Sequence, residues 1–170
     1  GQIYDADIRF SEAMTRFFRR EVSEQIYPLA MPWEYSQSRA FVAPWSVANA
    51  SYQCDFATGA VRDAEFAFDL LVGRGMDPNG AEADKFIQDF LREIAAHEVG
   101  HTLGLRHNFR ASTIHSFEQA QDASVTARDG LTGSVMDYIP TNIAARGGRQ
   151  GEYHQSTLGP YDYWAIEYAY

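Results

Sequence analysis

Apolar positions along this 170-residue chain recur with two distinct periods. Near the start, Tyr4, Ala6, Ile8 and Phe10 alternate with Ile3, Asp5, Asp7 and Arg9, which predicts a half-buried strand at about 3–10. Ser11 is a suitable N-cap for a helix over about 12–26, with Met14, Phe17, Phe18 and Val22 on one face and Pro28 closing it. Pro28, Pro32 and Pro44 then divide an aromatic-rich stretch into loops around one short strand near Ala40–Ala43. From Phe56 to Leu71 the period changes to helical, since Ala57, Val61, Ala64, Phe68 and Leu71 return every three or four positions, with Gly73 and Gly75 as terminators. Asp77-Pro78-Asn79-Gly80 predicts a turn, after which Phe86, Phe90, Ile94, His97 and His101 share one stripe of a further helix ending at Gly104. Residues 110–133 are polar and read as a long loop, as does Arg146 to Gly151, and the breaker-free run Asp162 to Tyr170 predicts a short C-terminal helix.

Composition narrows the class. Hydrophobic residues make up 45% and charged residues 22%, enough for a single globular domain with a real core over residues 1–170, and the start at Gly1 without an initiator methionine reads as a piece excised from a longer chain. The net charge of −9 has the wrong sign for holding a phosphate backbone, which excludes nucleic acid as a partner. No run of about 18 apolar residues is present to span a bilayer. The one cysteine, Cys54, rules out an intrachain disulfide and a multi-cysteine zinc site.

Three of the five histidines fall inside His97-Glu98-Val99-Gly100-His101-Thr102-Leu103-Gly104-Leu105-Arg106-His107. Positions i and i+4 of a helix lie about 40° apart, so His97 and His101 can aim ring nitrogens at one point. Gly104 allows the left-handed turn that would bring in His107 from off the helix axis. Three neutral imidazoles leave tetrahedral Zn2+ one open position for water, the arrangement of a catalytic site. Glu98, about 100° around the helix from His97, can take that water's proton as general base without being a ligand.

At these residues the chain resembles the metzincin zinc metallopeptidases, whose pattern His-Glu-x-x-His-x-x-Gly-x-x-His is matched from His97 to His107. Ser134-Val135-Met136-Asp137-Tyr138 is similar to the methionine turn of that superfamily. The resemblance implies Met136 as an apolar floor under the histidines and Tyr138 as a residue that ligates zinc or supports the transition state. Asp162, Ala165, Ile166 and Tyr170 match the C-terminal helix of serralysin-like and matrixin-like domains, and most of the chain resembles the catalytic region of large bacterial zinc-dependent metallopeptidases. The resemblance implies a zincin-like α/β (α+β) domain with a central zinc-binding helix and a mostly α C-terminal half. It also implies a peptide or protein substrate, endopeptidase chemistry, and a periplasmic or secreted location. One departure stands out: residues 56–72 read as helix where metzincins usually run strands, so the substrate-pairing strand falls to 3–10 or to the segment near Ala40–Pro44.

Two rivals share the motif. One is a zinc-containing peptide- or glycan-binding module of a larger surface protein, without turnover; the intact Glu98 argues against it. The other is a hydrolase of non-peptide amides. His115 and His154 match no ligand spacing and read as surface or loop residues. Cys54 could complete a zinc site, but a lone cysteine is more often a small buried hydrophobe. Glu118, Asp122 and Asp129 lack the spacing of a calcium loop. Oligomeric state is not legible.

Overall fold

The computed structural model describes Ile8, Cys54 and residues 56–170. The helix expected at 12–26, the strand near Ala40–Ala43 and all of the strand at 3–10 except Ile8 lie outside the described residues. Among the described residues every regular element is helical. The β part of the expected α/β (α+β) class therefore rests on segments that are not described.

Helix α1 spans Phe56–Gly73 and α2 spans Ala81–Thr102. Each buries the stripe its sequence dictates: Ala64, Ala67, Phe68 and Leu71 on α1, and Ala83, Phe86, Ile87, Phe90 and Ile94 on α2. These residues form one hydrophobic cluster, in which the Phe68 and Phe86 rings meet edge to face with centroids 5.5 Å apart. Each large apolar side chain so enclosed contributes about 1.5–3 kcal/mol.

The two helices end alike. In α1 the Met76 amide reaches the Leu71 carbonyl at 3.0 Å and the Gly75 amide reaches Val72 at 2.9 Å, with Gly75 at φ 110°. In α2 the Leu105 amide reaches Gly100 at 2.9 Å and the Gly104 amide reaches His101 at 2.9 Å, with Gly104 at φ 85°. Both are Schellman terminations. A Cβ on Gly104 would meet no atom within 4 Å, so a side chain there costs only the left-handed backbone conformation. Gly104→Ala should accordingly destabilise the fold by about 1–2 kcal/mol, read as a lower urea midpoint at unchanged slope. An unchanged midpoint would mean that the turn tolerates alanine.

Residues 110–133 do not form the expected open loop. They hold a 3₁₀ turn at Ala111–Ile114, α3 at Phe117–Ala120 and α4 at Ala123–Asp129. Ser116 caps α3 in a reciprocal box with Gln119, and Asp122 caps α4 through the Ser124 amide at 2.9 Å. Helix α5, Pro160–Ala169, closes the chain, and the Tyr170 hydroxyl donates to the Leu103 carbonyl at the end of α2, 3.1 Å away.

His154 is not a surface residue. It is 2% exposed, its Nδ1 lies 3.0 Å from Glu93 Oε2, and its ring packs edge-on against Phe86 at 4.5 Å. Apolar walls on α2 and a buried acid partner override the preference of histidine for the surface. Burial raises the Glu93 carboxyl above its ordinary value, and the contact with His154 opposes that rise.

Candidate metal centre

The C-terminal turns of α2 present His97 and His101 on one face, and the Gly104 turn returns the chain so that His107 joins them. Backbone carbonyls hold two of the three rings. His97 Nδ1 lies 2.7 Å from the Val135 carbonyl and His101 Nδ1 lies 3.1 Å from the Leu105 carbonyl. A carbonyl can only accept, so each Nδ1 carries the proton and each Nε2 turns a lone pair toward the site. The Asn108 amide donates to the Met136 carbonyl at 2.9 Å, which ties the His107 strand of chain to the turn beneath it.

The donor atoms converge. His101 Nε2 and His107 Nε2 are 3.0 Å apart, and the possible ligand atoms of His97, His101, His107 and Cys54 all lie within 4.8 Å of one another. Lone pairs facing each other at such distances repel unless a proton or a cation lies between them, so the donor set fits a bound metal ion. Imidazole and thiolate donors suit zinc. Burial pushes the His97 imidazole down to about 4, the Val135 hydrogen bond opposing it and the adjacent His101 and His107 adding to it, so the ring is neutral and ready to ligate at neutral pH.

Met136 forms the floor. It is fully buried, and a Cβ placed on Gly100 would lie 2.2 Å from its sulfur, so the glycine between the two helical histidines is what lets the methionine approach α2. The turn carrying it is clamped by Asp162 on α5. Asp162 Oδ1 accepts from Ser134 Oγ at 2.6 Å, and Oδ2 accepts from the amides of Val135 and Gly159, each at 2.9 Å. One buried carboxylate thus caps α5 and fixes the carbonyl that orients His97.

Tyr138 reaches the centre, with its hydroxyl 3.1 Å from His107 Nε2. Glu98 follows His97 on α2, half-buried, with its carboxylate outside the converging donor set. Sequence reasoning set the fourth-ligand reading of Cys54 below that of a small buried hydrophobe, yet its Sγ lies 3.4 Å from the Nε2 atoms of both His97 and His107 and 3.3 Å from the Tyr138 hydroxyl. No local spacing signals this, because 43 residues separate Cys54 from His97. A cavity of about 520 Å³ adjoins the site, lined by Phe56, Ala60, Asp63, Tyr138, Ile139 and Pro140 among others. Phe56 also stacks on the His97 ring at 4.2 Å.

A family model described as Met-zincin matches residues 79–170, from the turn before α2 to the end of the chain. The chain belongs to the Met-zincin family. The matched region is that of a metzincin-like zinc metallopeptidase and contains the three histidines, Glu98, Met136 and Tyr138. No curated protein and no solved structure gives a significant match to this Met-zincin. None of its helices, among the described residues, is long and apolar enough to cross a membrane.

Proposed function

We propose that this Met-zincin hydrolyses peptide bonds within protein substrates, using zinc held by His97, His101 and His107 and Glu98 as general base. The convergence of three ring nitrogens, two of them oriented by backbone carbonyls, is the observation that carries this reading. Zinc bound there supplies Lewis acidity, which lowers the pKa of water and polarises a carbonyl. Glu98 accepts the proton of the attacking water and passes it to the departing amine nitrogen as the carbon–nitrogen bond breaks. Its position outside the donor set leaves it available for that transfer. The Tyr138 hydroxyl supports the substrate oxygen from the His107 side. The adjoining cavity receives a substrate side chain; Phe56, Ala60 and Ile139 favour an apolar one. An extracytoplasmic site of action follows from the family resemblance.

The rival without turnover has one observation in its favour, the approach of Cys54, since four protein donors would leave no position for water. The test is digestion of an unstructured protein by the zinc-loaded chain. Cleavage should vanish on chelation and return with added Zn2+. A metal-loaded protein that cleaves nothing, with the Cys54 thiol present or removed, would overturn the hydrolytic reading.

A further inference from the structure

Val135, whose carbonyl accepts the His97 Nδ1–H, is flanked by two peptide planes that are each tied at both polar ends. In the plane before it, the Ser134 carbonyl accepts from Thr132 Oγ at 2.8 Å and the Val135 amide donates to Asp162 Oδ2 at 2.9 Å. In the plane after it, the Met136 amide donates to Ser134 Oγ at 3.1 Å and the Val135 carbonyl accepts from His97 at 2.7 Å. Asp162 supplies the α5 side of this clamp. The other side comes from Gln155.

Gln155 is 2% exposed, and its side-chain amide pairs with both backbone polar atoms of Thr132. Oε1 accepts the Thr132 N–H at 2.8 Å, and Nε2 donates to the Thr132 carbonyl at 3.3 Å. A carboxamide can accept and donate at once; a carboxylate or an apolar side chain cannot. Gly130, at φ 80°, makes the space, since a Cβ there would lie 2.9 Å from Gln155 Nε2. The Gln155 backbone amide in turn donates to the Glu93 carboxylate on α2. These bonds close a circuit that leaves α2 at Glu93, runs through Gln155, Thr132, Ser134 and Val135, and returns to α2 one turn later at His97.

We infer that Gln155 is a positioning residue for the candidate metal centre: it holds the Ser134–Val135 peptide through Thr132 and so fixes where the His97 Nε2 lone pair points. This inference rests on the zinc reading above. Without the Gln155 amide, the Thr132 N–H and carbonyl are stranded in a buried site and the turn is free to shift against α2. Outer partners of ligating histidines are worth about 10–100-fold in metal affinity.

Zinc affinity, read by competition with a chromophoric chelator, and the visible bands of the cobalt-loaded chain report on the site without turnover. Gln155→Met keeps the length of the side chain but cannot pair with Thr132. It should raise the zinc Kd about tenfold and alter the shape of the cobalt bands. Thr132→Val keeps the backbone pair and removes only the bond to the Ser134 carbonyl. It should weaken zinc in the same direction to a smaller degree, and it carries the test if Gln155→Met does not fold. Phe68→Leu, in the core between α1 and α2, should lower the unfolding midpoint while keeping the parental zinc Kd and bands, which separates positioning from lost stability. Parental affinity and bands in either folded variant of the circuit, or an equal weakening in Phe68→Leu, would overturn the positioning role and leave the zinc reading standing. A parent chain that binds no zinc would overturn both.

Discussion

Glu98→Gln is expected to keep one metal ion per chain and to lose about 10²–10⁴-fold in peptide hydrolysis. The carboxylate lies outside the group of converging donors, so an amide of nearly the same shape should leave metal affinity alone. What the amide cannot do is accept a proton from water at neutral pH. Metal content by elemental analysis and cleavage of an unstructured protein are the two measurements. A variant that keeps its metal and cleaves within tenfold of its parent would show that another group takes the proton. A variant that loses its metal would place Glu98 among the ligands instead, contrary to its position on α2.

The site was legible in the sequence to the extent that helical spacing encodes it. His97 and His101 share a face because four residues make slightly more than one turn, and Gly104 marks the one place where the chain can reverse to present His107. The stripes of α1 and α2 were legible for the same reason, a long apolar period bounded by glycines. The small helices between 110 and 133 were not. Helix α3 buries none of its residues and α4 buries Thr126 alone, so neither leaves an apolar period to read. Their signals were caps, Ser116 with Gln119 and Asp122, which are short and common. The approach of Cys54 to the histidines and the burial of His154 were not legible for a different reason. Their partners lie 43 and 61 residues away, and only the packing of α1 and of the C-terminal segment against α2 brings those pairs together. The expected strands remain outside the described residues, so the edge that would pair with an extended substrate rests on alternation in the sequence alone.

The largest stability effect is expected at the Glu93–His154 pair. Glu93 lies one turn before His97 on α2, and His154 precedes Gln155, whose side chain accepts the Thr132 amide at 2.8 Å and so steadies the segment leading to Met136. The pair therefore joins α2 to the turn beneath the candidate metal centre. His154→Ala would remove a buried partner at 3.0 Å and open space beside Phe86 and Phe90, at a cost of about 3–5 kcal/mol near neutral pH. The sign of the pH dependence follows from Glu93. Its carboxyl is raised in the folded chain by burial, with the Asp63 charge adding to the rise, and the variant removes the opposing contact with His154. A group whose folded value is raised stabilises below its unfolded value, about 4.3 for glutamate, and that contribution is lost as pH rises through the folded value. The deficit of His154→Ala relative to the parent should thus shrink in mild acid and grow toward neutrality, measured by denaturant unfolding at a series of pH values. Glu93→Leu combined with His154→Leu should recover much of the loss, because two apolar side chains need no mutual partner. A deficit in His154→Ala that is flat across pH would show that lost packing against the two phenylalanines, rather than the stranded carboxyl, sets the cost.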